Sequence, residues 1–240
     1  MEEVINTCEI IWPYRFDLLV RIDFLDWFEV IGRNHLPKTD GSGIIGTPLI
    51  SNASFFLGAK QHPYFIQYTK LKRGYRLVNL TYENAERIYA EGIANFIKLH
   101  QAIKIQSYDL SKKISLKKPL VKIKSSSRGG ISRNNYIGDG CHRFACLLWT
   151  RKDFLIPTKF FRFRYKVIYK PEDSDLTAGY KTLGILKDQD IAYFDKLFGG
   201  SNTAIWEPAF QRVCEIRERF SRMNIKDMFE IKFRGLDFRF

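Results

Sequence analysis

Several segments of the chain repeat their apolar residues at the three- and four-residue spacing of an amphipathic α-helix. One of them covers residues 15–31. Another follows Thr81, a residue type that caps helix N-termini well, and its apolar stripe runs from Ala85 to Ile103. These patterns predict two helices that each bury one face.

The last third of the chain carries further helix signals. A helix is predicted at about 188–198, with Asp188 as its N-cap and Gly199 as its stop. Another is predicted at 207–222, where Pro208 falls in the first turn, the part of a helix that tolerates proline. The C-terminal segment is therefore expected to be helical.

Other segments show the alternation or the short apolar runs that are typical of β-strands. Between residues 158 and 170, aromatic and aliphatic residues alternate with Arg and Lys, which predicts a half-buried strand with one basic face. Shorter strands are predicted at 64–69, at 75–80, at 119–124, in a run that ends at Ile137, and around 229–233. Strands and long helices together predict an α+β protein.

Composition narrows the class of protein. The chain has 240 residues, of which 45% are apolar, enough for one large or two small domains with a core. No apolar run approaches the length of a membrane span, and the acidic start Met1-Glu2-Glu3 is unlike a secretion signal, so a soluble cytoplasmic protein is expected. The formal net charge of +13 favours an anionic partner: nucleic acid, nucleotide, phosphorylated metabolite or anionic membrane surface.

A glycine-rich segment fits a dinucleotide-binding pattern in its letters alone. Residues 41–46, GSGIIG, have the GxGxxG spacing. That motif binds a pyrophosphate between a buried strand and a helix, whereas here Pro37 and polar residues precede it and Pro48 follows it. We therefore interpret the segment as a glycine-rich loop.

The segment 136–149 combines the parts of an anion-binding turn. Ile137 ends an apolar run, residues 138–140 (GDG) allow a tight turn, and a helix is predicted to begin at Cys141 and run to about residue 150. Backbone N–H groups and the helix dipole at such a start both attract an anion.

Two residues with cationic side chains follow this turn. His142 and Arg143 are predicted in the first helical turn, where a bound phosphate would lie, and Arg is a forked donor that matches phosphate oxygens. Cations at a helix start are unfavourable unless an anion is present. The alternative is that Asp139 supplies that anion as an N-cap, with both cations as solvated neighbours.

The four cysteines do not form a metal-binding pattern, because no two are spaced as CxxC. Cys146 and Cys214 are interpreted as small core residues. A thiol at the predicted position of Cys141 is expected to have a lowered pKa, which suits a nucleophile, although the alternative is that its backbone N–H alone is used. The remaining histidines are interpreted as structural or surface residues: His35, His62 and His100.

Residues 139–143, DGCHR, resemble the DGxHR signature of the ParB/sulfiredoxin superfamily. The likeness continues on both sides: residues 96–103 are similar to the helix before the family's strand, residues 119–123 to the strand, and Ile156-Pro157 to a pair found before the next strand. It covers residues 80–165, about a third of the chain. The resemblance implies a ParB/sulfiredoxin-like core with additional N-terminal and C-terminal helical segments.

The superfamily contains several activities, and the motif differs among them. Free serine kinases carry DGHHR, from which this chain departs at Cys141. Sulfiredoxins carry GGCHR and use the Cys with ATP, whereas this chain has Asp139 in the first position; chromosome-partition ParB proteins carry an arginine-rich form that it lacks. The resemblance implies first a nucleotide-dependent phosphotransferase (a kinase) acting on a small hydroxyl-bearing molecule. The alternative is a ParB-like DNA-binding protein or nuclease, and the third is a sulfiredoxin-like ATP-dependent oxidoreductase using Cys141.

For the kinase, the resemblance gives each motif residue a role. Asp139 and His142 are catalytic, and Asp139 holds Mg²⁺ or the acceptor. The base of the serine kinases is a Glu in a region that here contains Glu83, Glu86 and Glu91; Glu86 and Glu91 are the candidates, and the alternative for each is a solvated helix face. With ATP or ADP as substrate, the nucleotide phosphates bind at Gly140, Cys141, His142 and Arg143.

The alternative of a nucleic-acid-binding protein rests on basic residues. The lysines between 112 and 124, together with the basic face at 162–166, would form a surface that binds an anionic polymer. Tyr108 would stack on a base. No helix-turn-helix or other known nucleic-acid-binding motif is visible in the sequence. A charge run is more often a solvated face, so nucleic acid ranks behind the nucleotide as a partner.

The expected organisation has three parts. Residues 1–78 form an N-terminal segment of unassigned role, residues 79–170 a nucleotide-phosphate-binding core, and residues 171–240 a helical segment packed on that core. The expected partners are a nucleotide and a small-molecule acceptor, with no membrane span. Nothing in the sequence predicts an oligomeric state.

Overall fold

The structure is a computed structural model. It describes residues 4–7, 16–31, 34, 53–71, 80–105, 112–118, 123–124, 131–132, 136–151, 155–165, 176–198 and 205–231. Some side chains within these ranges, that of Asp139 among them, lie outside the described part.

Helices make up most of the described residues. The α-helices are α1 (Phe16–Val30), α2 (Ala53–Lys60), α3 (Pro63–Ile66), α4 (Tyr82–Lys104), α5 (Cys141–Arg151), α6 (Leu176–Thr182), α7 (Asp188–Phe198), α8 (Trp206–Phe220) and α9 (Ile225–Glu230). A π-helical segment, Gln67–Leu71, continues α3, and a 3₁₀ turn covers Thr158–Phe160.

The strands form small sheets. They are β1 (Val4–Asn6), β2 (Ile114–Lys118), β3 (Ile123–Lys124), β4 (Ile131–Ser132), β5 (Tyr136–Asp139), β6 (Leu155–Pro157) and β7 (Phe161–Tyr165). Strand β2 is the centre of a three-stranded sheet, antiparallel to β5 and parallel to β7. Strands β1 and β6 form one antiparallel pair, and β3 and β4 form another. The described fold is α+β.

Helix α1 lies in the centre of the core and is not an amphipathic surface helix. Between Phe16 and Phe28, every residue except Asp26 is buried, and the helix contacts α5, α6 and α8. Its buried charges are paired: Arg21 Nη1 lies 2.5 Å from Asp17 Oδ2. A helix can be buried on all sides when its few charges are compensated in this way.

Most of the helix predictions are confirmed. Helix α1 occupies the predicted range, and Thr81 caps α4 because its Oγ1 accepts the N–H of Asn84 at 3.3 Å. Helix α5 begins at Cys141 as predicted, and Pro208 lies in the first turn of α8.

The start of α7 differs from the prediction. Asp188 is its first helical residue and not its N-cap. The acidic group that caps this end is Asp190, whose Oδ2 accepts the N–H of Lys187 at 2.8 Å. An acidic residue in the first turn can reach back to the chain before the helix, and the sequence pattern did not distinguish the two aspartates.

The strand predictions are less accurate. Residues 64–69 form α3 and the beginning of the π-helical segment, and Phe229 lies in α9. Of the strand predicted at 119–124, residues 123–124 form β3, and residues 119–122 lie outside the described part; residues 158–160 form the 3₁₀ turn instead of the start of β7. The predicted loop at 32–53 and the predicted strand at 75–80 lie largely outside the described residues.

A single hydrophobic cluster joins the three predicted parts of the chain. It contains Phe24 from the N-terminal part, Phe144 from the middle part and Phe220 from the C-terminal part, all fully buried. Both predicted boundaries, at 78/79 and 170/171, fall outside the described residues. Within the described ranges, no helix combines the length and the apolar character needed to cross a bilayer.

Candidate phosphate-binding site at the start of helix α5

A single glycine connects β5 to α5. Asp139 is the last residue of β5 and Cys141 the first of α5, so Asp139 does not lie in the turn as predicted. Gly140 has φ +96°, and its carbonyl accepts the N–H of Phe144 at 2.9 Å, which makes Gly140 the N-cap. A Cβ on Gly140 would also lie 3.3 Å from Ile114 Cα. Both the backbone conformation and the packing therefore favour glycine here.

Arg143 ties the first turn of α5 to the central strand. Its Nη1 donates to the carbonyl of Lys112 at 2.6 Å and to that of Lys113 at 2.9 Å. These carbonyls belong to the residues immediately before β2. The guanidinium therefore has a positioning role that the sequence analysis did not predict, in addition to its predicted role as a phosphate donor.

The sheet brings further basic residues to this place. The register pairs Ser115 with Asp139 and Ile114 with Phe161, so the end of β5 and the starts of β2 and β7 lie at the same edge. The side chains of Lys112 and Lys113, just before β2, and of Lys159, just before β7, are exposed. We call these three lysines together with Arg143 the basic edge. It lies beside the N-terminus of α5, whose partial charge is also positive.

His142 is half-buried and points into an aromatic cluster. Its Nε2 lies 2.7 Å from the hydroxyl of Tyr64, and its ring centroid lies 4.6 Å from that of Phe96. The hydrogen bond occupies Nε2, so a phosphate would have to be contacted through Nδ1. His142 is thus fixed by residues from α3 and α4.

The π-helical segment brings a second tyrosine to the same cluster. The Tyr68 ring lies 6.3 Å from that of His142, centroid to centroid. A Cβ at position 92 of α4 would overlap the Tyr68 ring, so Gly92 makes room for it. Segments of π-helix occur frequently at functional sites.

Tyr64 is held in turn by a buried polar group. Its N–H donates to Nδ1 of His62 at 3.0 Å, which leaves the proton on Nε2 to be donated to Asp23 Oδ2 at 2.9 Å. The other carboxylate oxygen of Asp23 accepts from Arg217 at 2.8 Å and from the Cys214 thiol at 3.4 Å. Burial lowers the pKa of His62 and outweighs the attraction of Asp23, so the imidazole is neutral at physiological pH.

Of the two candidate glutamates on α4, Glu86 lies away from this cluster. Glu86 forms an ion pair with Lys60, and Glu91 is exposed on α4. At a rise of about 1.5 Å per residue, Glu86 lies roughly 15 Å along the helix axis from Phe96, which contacts His142. The structure therefore does not bring Glu86 together with the start of α5.

The cysteines fall into two groups. Burial raises the pKa of the Cys146 thiol well above its usual value, and burial together with the nearby carboxylate of Asp23 raises that of Cys214 to about 12. Both are therefore protonated and unreactive at neutral pH. Cys141 is half-buried at the helix start, next to the predicted phosphate position.

The resemblance implies that Asp139 alone holds Mg²⁺. Within the ranges that the structure describes, no group of three or more His, Cys, Asp or Glu side chains comes together. Because the side chain of Asp139 is outside the described part, its roles as metal ligand and catalyst stay predictions.

The sequence analysis located the glycine turn and the helix start but missed Tyr64, Tyr68 and His62. Tyr64 and Tyr68 fall in the segment 64–69, which was predicted as a strand, and His62 was interpreted as a structural or surface residue. The signal that could have identified them is His62-Pro63, since His62 caps α3 and Pro63 occupies its first turn. Comparison of the chain with family models, curated proteins and solved structures finds no significant match to any of them.

Proposed function

We propose that the start of α5 and the basic edge bind the phosphates of a nucleotide, and that the protein transfers a phosphoryl group to a small hydroxyl-bearing acceptor. The observation that carries this proposal is the glycine with φ +96° between strand and helix, next to Arg143, Lys112 and Lys113. Such a turn exposes backbone to an anion, and the surrounding cations neutralise it. The core would then be of the ParB/sulfiredoxin type that DGCHR resembles.

Phosphoryl transfer depends on placing charge correctly and needs little covalent chemistry from the protein. The lysines of the basic edge would neutralise the polyphosphate, which enters as its magnesium complex and is a substrate. His142, fixed by Tyr64, would orient a phosphate oxygen through Nδ1. Asp139, the last residue of β5, stays the candidate for contacting the acceptor hydroxyl. Glu86 is paired with Lys60, which argues against it as the base, and Glu91 stays a candidate.

Substitution of Arg143 tests the phosphate site. Arg143→Ala is expected to weaken binding of ATP or ADP by roughly 1.5–3 kcal/mol, the range for a charge-assisted hydrogen bond. The matched control is Arg151→Ala, at the other end of the same helix, where the side chain is exposed. Calorimetry with ATP, ADP and CTP measures both variants, and circular dichroism checks that the fold is kept. Equal affinities in the two folded variants would contradict the phosphate-binding assignment.

Substitution of Asp139 separates binding from turnover. If Asp139 contacts metal or acceptor, Asp139→Asn lowers turnover far more than nucleotide affinity. Normal turnover in Asp139→Asn would remove it from the catalytic residues. Cys141→Ser is expected to keep phosphoryl transfer, whereas complete loss of ATP-dependent activity in that variant alone would favour the sulfiredoxin-like alternative.

Nucleic-acid binding is the second candidate, and the exposure of the basic edge favours it. Lys112, Lys113 and Lys159 are exposed at one edge of the sheet, and Arg162 on β7 is exposed as well. A nucleic-acid interface predicts affinity that drops steeply as salt is raised and that needs no acceptor. Fluorescence anisotropy with duplex and single-stranded oligonucleotides at low salt tests this. Absence of any binding would leave small anions as the ligands of the basic edge.

A further inference from the structure

A cavity of about 290 Å³ lies at the opposite end of α5, between that helix, α1 and the start of α8. Among the residues that the structure describes, its lining is formed by Asp26, Trp149, Trp206, Glu207 and Phe210. The volume is close to the lower end of the range for small-molecule sites. Trp149 lies eight residues after Cys141, about 12 Å along the helix axis from the proposed phosphate site. The cavity is therefore a separate site.

The walls of this cavity are aromatic. The rings of Trp206 and Phe210 lie one turn apart on α8 and stack with 6.0 Å between centroids and 9° between planes. Trp149 on α5 faces the same space. All three aromatic residues are only partly buried and line the cavity. A cation placed over the faces of such rings is attracted by the ring quadrupoles.

Two carboxylates complete the lining. Asp26 is half-buried on α1, and Glu207 is exposed in the first turn of α8. Among the residues that the structure describes, neither carboxylate has an ion-pair partner, although the chain has a formal net charge of +13. Glu207 lies in the first turn of α8, where the helix dipole attracts negative charge. The cavity thus has negative charge without a compensating side chain in its described lining.

One of the aromatic walls already contacts a cation of the protein itself. Nζ of Lys104 lies 5.5 Å from the centroid of the Trp149 ring and is paired with Glu29 at 2.9 Å. The carbonyl groups at the C-terminal end of α5 add negative partial charge near Trp149. Arg151, in the last turn of α5, is exposed and is not part of the described lining.

We propose that this cavity binds a small organic cation with an alkylated ammonium group. The ammonium group would lie against the indole faces of Trp149 and Trp206, with Asp26 and Glu207 supplying the opposite charge. Aromatic walls with a few acidic groups are the usual means of recognising quaternary ammonium groups. The assignment does not depend on the proposed phosphotransferase activity, because the two sites share no residue.

Binding of choline, compared with its neutral isostere 3,3-dimethylbutan-1-ol, tests the proposal on the unmodified protein. The two probes have the same shape, and the isostere lacks the charge. Choline is expected to bind at least tenfold more tightly by calorimetry and to change the tryptophan fluorescence, and tetramethylammonium is expected to compete with it. Equal binding of the two probes, or no binding of either at millimolar concentration, would overturn the proposal.

Two isosteric variants locate the site. Asp26→Asn keeps the size of the side chain and removes its charge, and it is expected to weaken choline binding by at least fivefold. Glu218→Gln, on the exposed side of α8, is the matched control and is expected to leave choline affinity unchanged. Both variants should keep the circular dichroism spectrum of the unmodified protein. If Asp26→Asn and Glu218→Gln bind choline equally well, the cation does not lie in this cavity.

Discussion

The two ends of helix α5 differ in charge but share one property. At its N-terminal end, where the helix dipole is positive, the basic edge adds Lys112, Lys113 and Arg143. At its C-terminal end, where the dipole is negative, the cavity adds Asp26 and Glu207. In both places the side chains have the same sign as the helix end that they surround.

Apart from Arg151, which lies in the last turn of α5, this arrangement is opposite to what stability alone favours. Acidic groups at a helix start and basic groups at its end would stabilise α5. Side chains with the same sign as the nearby helix end are expected at binding sites, since a ligand of opposite charge removes the conflict. The comparison therefore predicts an anion at one end of α5 and a cation at the other.

Two aspartates one turn apart on α1 provide the sharpest test of this comparison. Asp23 is fully buried and paired with His62 and Arg217, whereas Asp26 lines the cavity without an ion pair among the described residues. Asp23→Asn is expected to lower the free energy of unfolding by about 3 kcal/mol, the lower end of the range for breaking a buried ion pair. Asp26→Asn is expected to leave it unchanged or to raise it by up to about 0.5 kcal/mol. Urea unfolding measures both, and an equal loss in the two variants would mean that Asp26 is structural.

A glycine substitution tests the N-terminal end of α5. Gly140→Ala is expected to cost about 2 kcal/mol, because φ is positive and the new Cβ lies against the backbone of Ile114. Gly184→Ala is the matched control: its φ is +70°, but the nearest atom to its Cβ would be Met223 Cε at 4.0 Å. It is expected to cost about 1 kcal/mol from backbone strain alone. Equal destabilisation in thermal unfolding would show that the contact with Ile114 has no effect.

The pH dependence of the free energy of unfolding tests the paired carboxylate of Glu29, which lies beside the cavity. Burial alone would raise the pKa of the Glu29 carboxyl, but hydrogen bonds from His100 and Lys104 lower it from 4.5 to about 2. Because the folded pKa is the lower one, this contribution is complete above pH 4.5 and is lost as the pH falls toward 2. Its size is roughly 1–2 kcal/mol after screening by solvent. Glu29→Gln should make the free energy of unfolding less dependent on pH in this range. The same pH dependence in the variant and the unmodified protein would contradict the assignment.

The smallest expected effect concerns the anchoring of His142. Tyr64→Phe removes the hydroxyl that lies 2.7 Å from His142 Nε2 and is expected to cost about 1 kcal/mol. The His142 ring would keep its contact with Phe96 and gain freedom to turn. NMR titration of the imidazole measures the change. An identical His142 titration in both proteins would mean that the Tyr64 hydroxyl does not position it.

Local signals were enough for the long helices and for the turn before α5. Thr81 caps α4 through its own side chain, and Gly140 has the positive φ that only glycine adopts readily. Each of these features depends on residues within one helical turn of it. A sequence pattern can therefore predict them without knowledge of the rest of the fold.

Tertiary contacts decided the parts that the sequence did not predict. Residues 64–69 are rich in aromatic and β-branched types, which favour strands, yet they are helical because burial on the aromatic cluster overrides that preference. Tyr64 reaches His142 from 78 positions away, and Arg143 finds its carbonyl partners about 30 positions earlier. Such pairings depend on chain topology, which no local pattern encodes.

The π-helical segment has a consequence for chain length. Gln67, at its start, accepts a hydrogen bond from Tyr180, and the next residue, Tyr68, fills the space above Gly92. A π turn holds about one residue more than an α turn, and each α-helical residue rotates the chain by about 100°. Deleting one residue between 67 and 71 would therefore swing the following side chains around the axis and separate Leu71 from its buried position, even if every remaining residue were unchanged. The packing of this segment therefore depends on its number of residues as well as on their types.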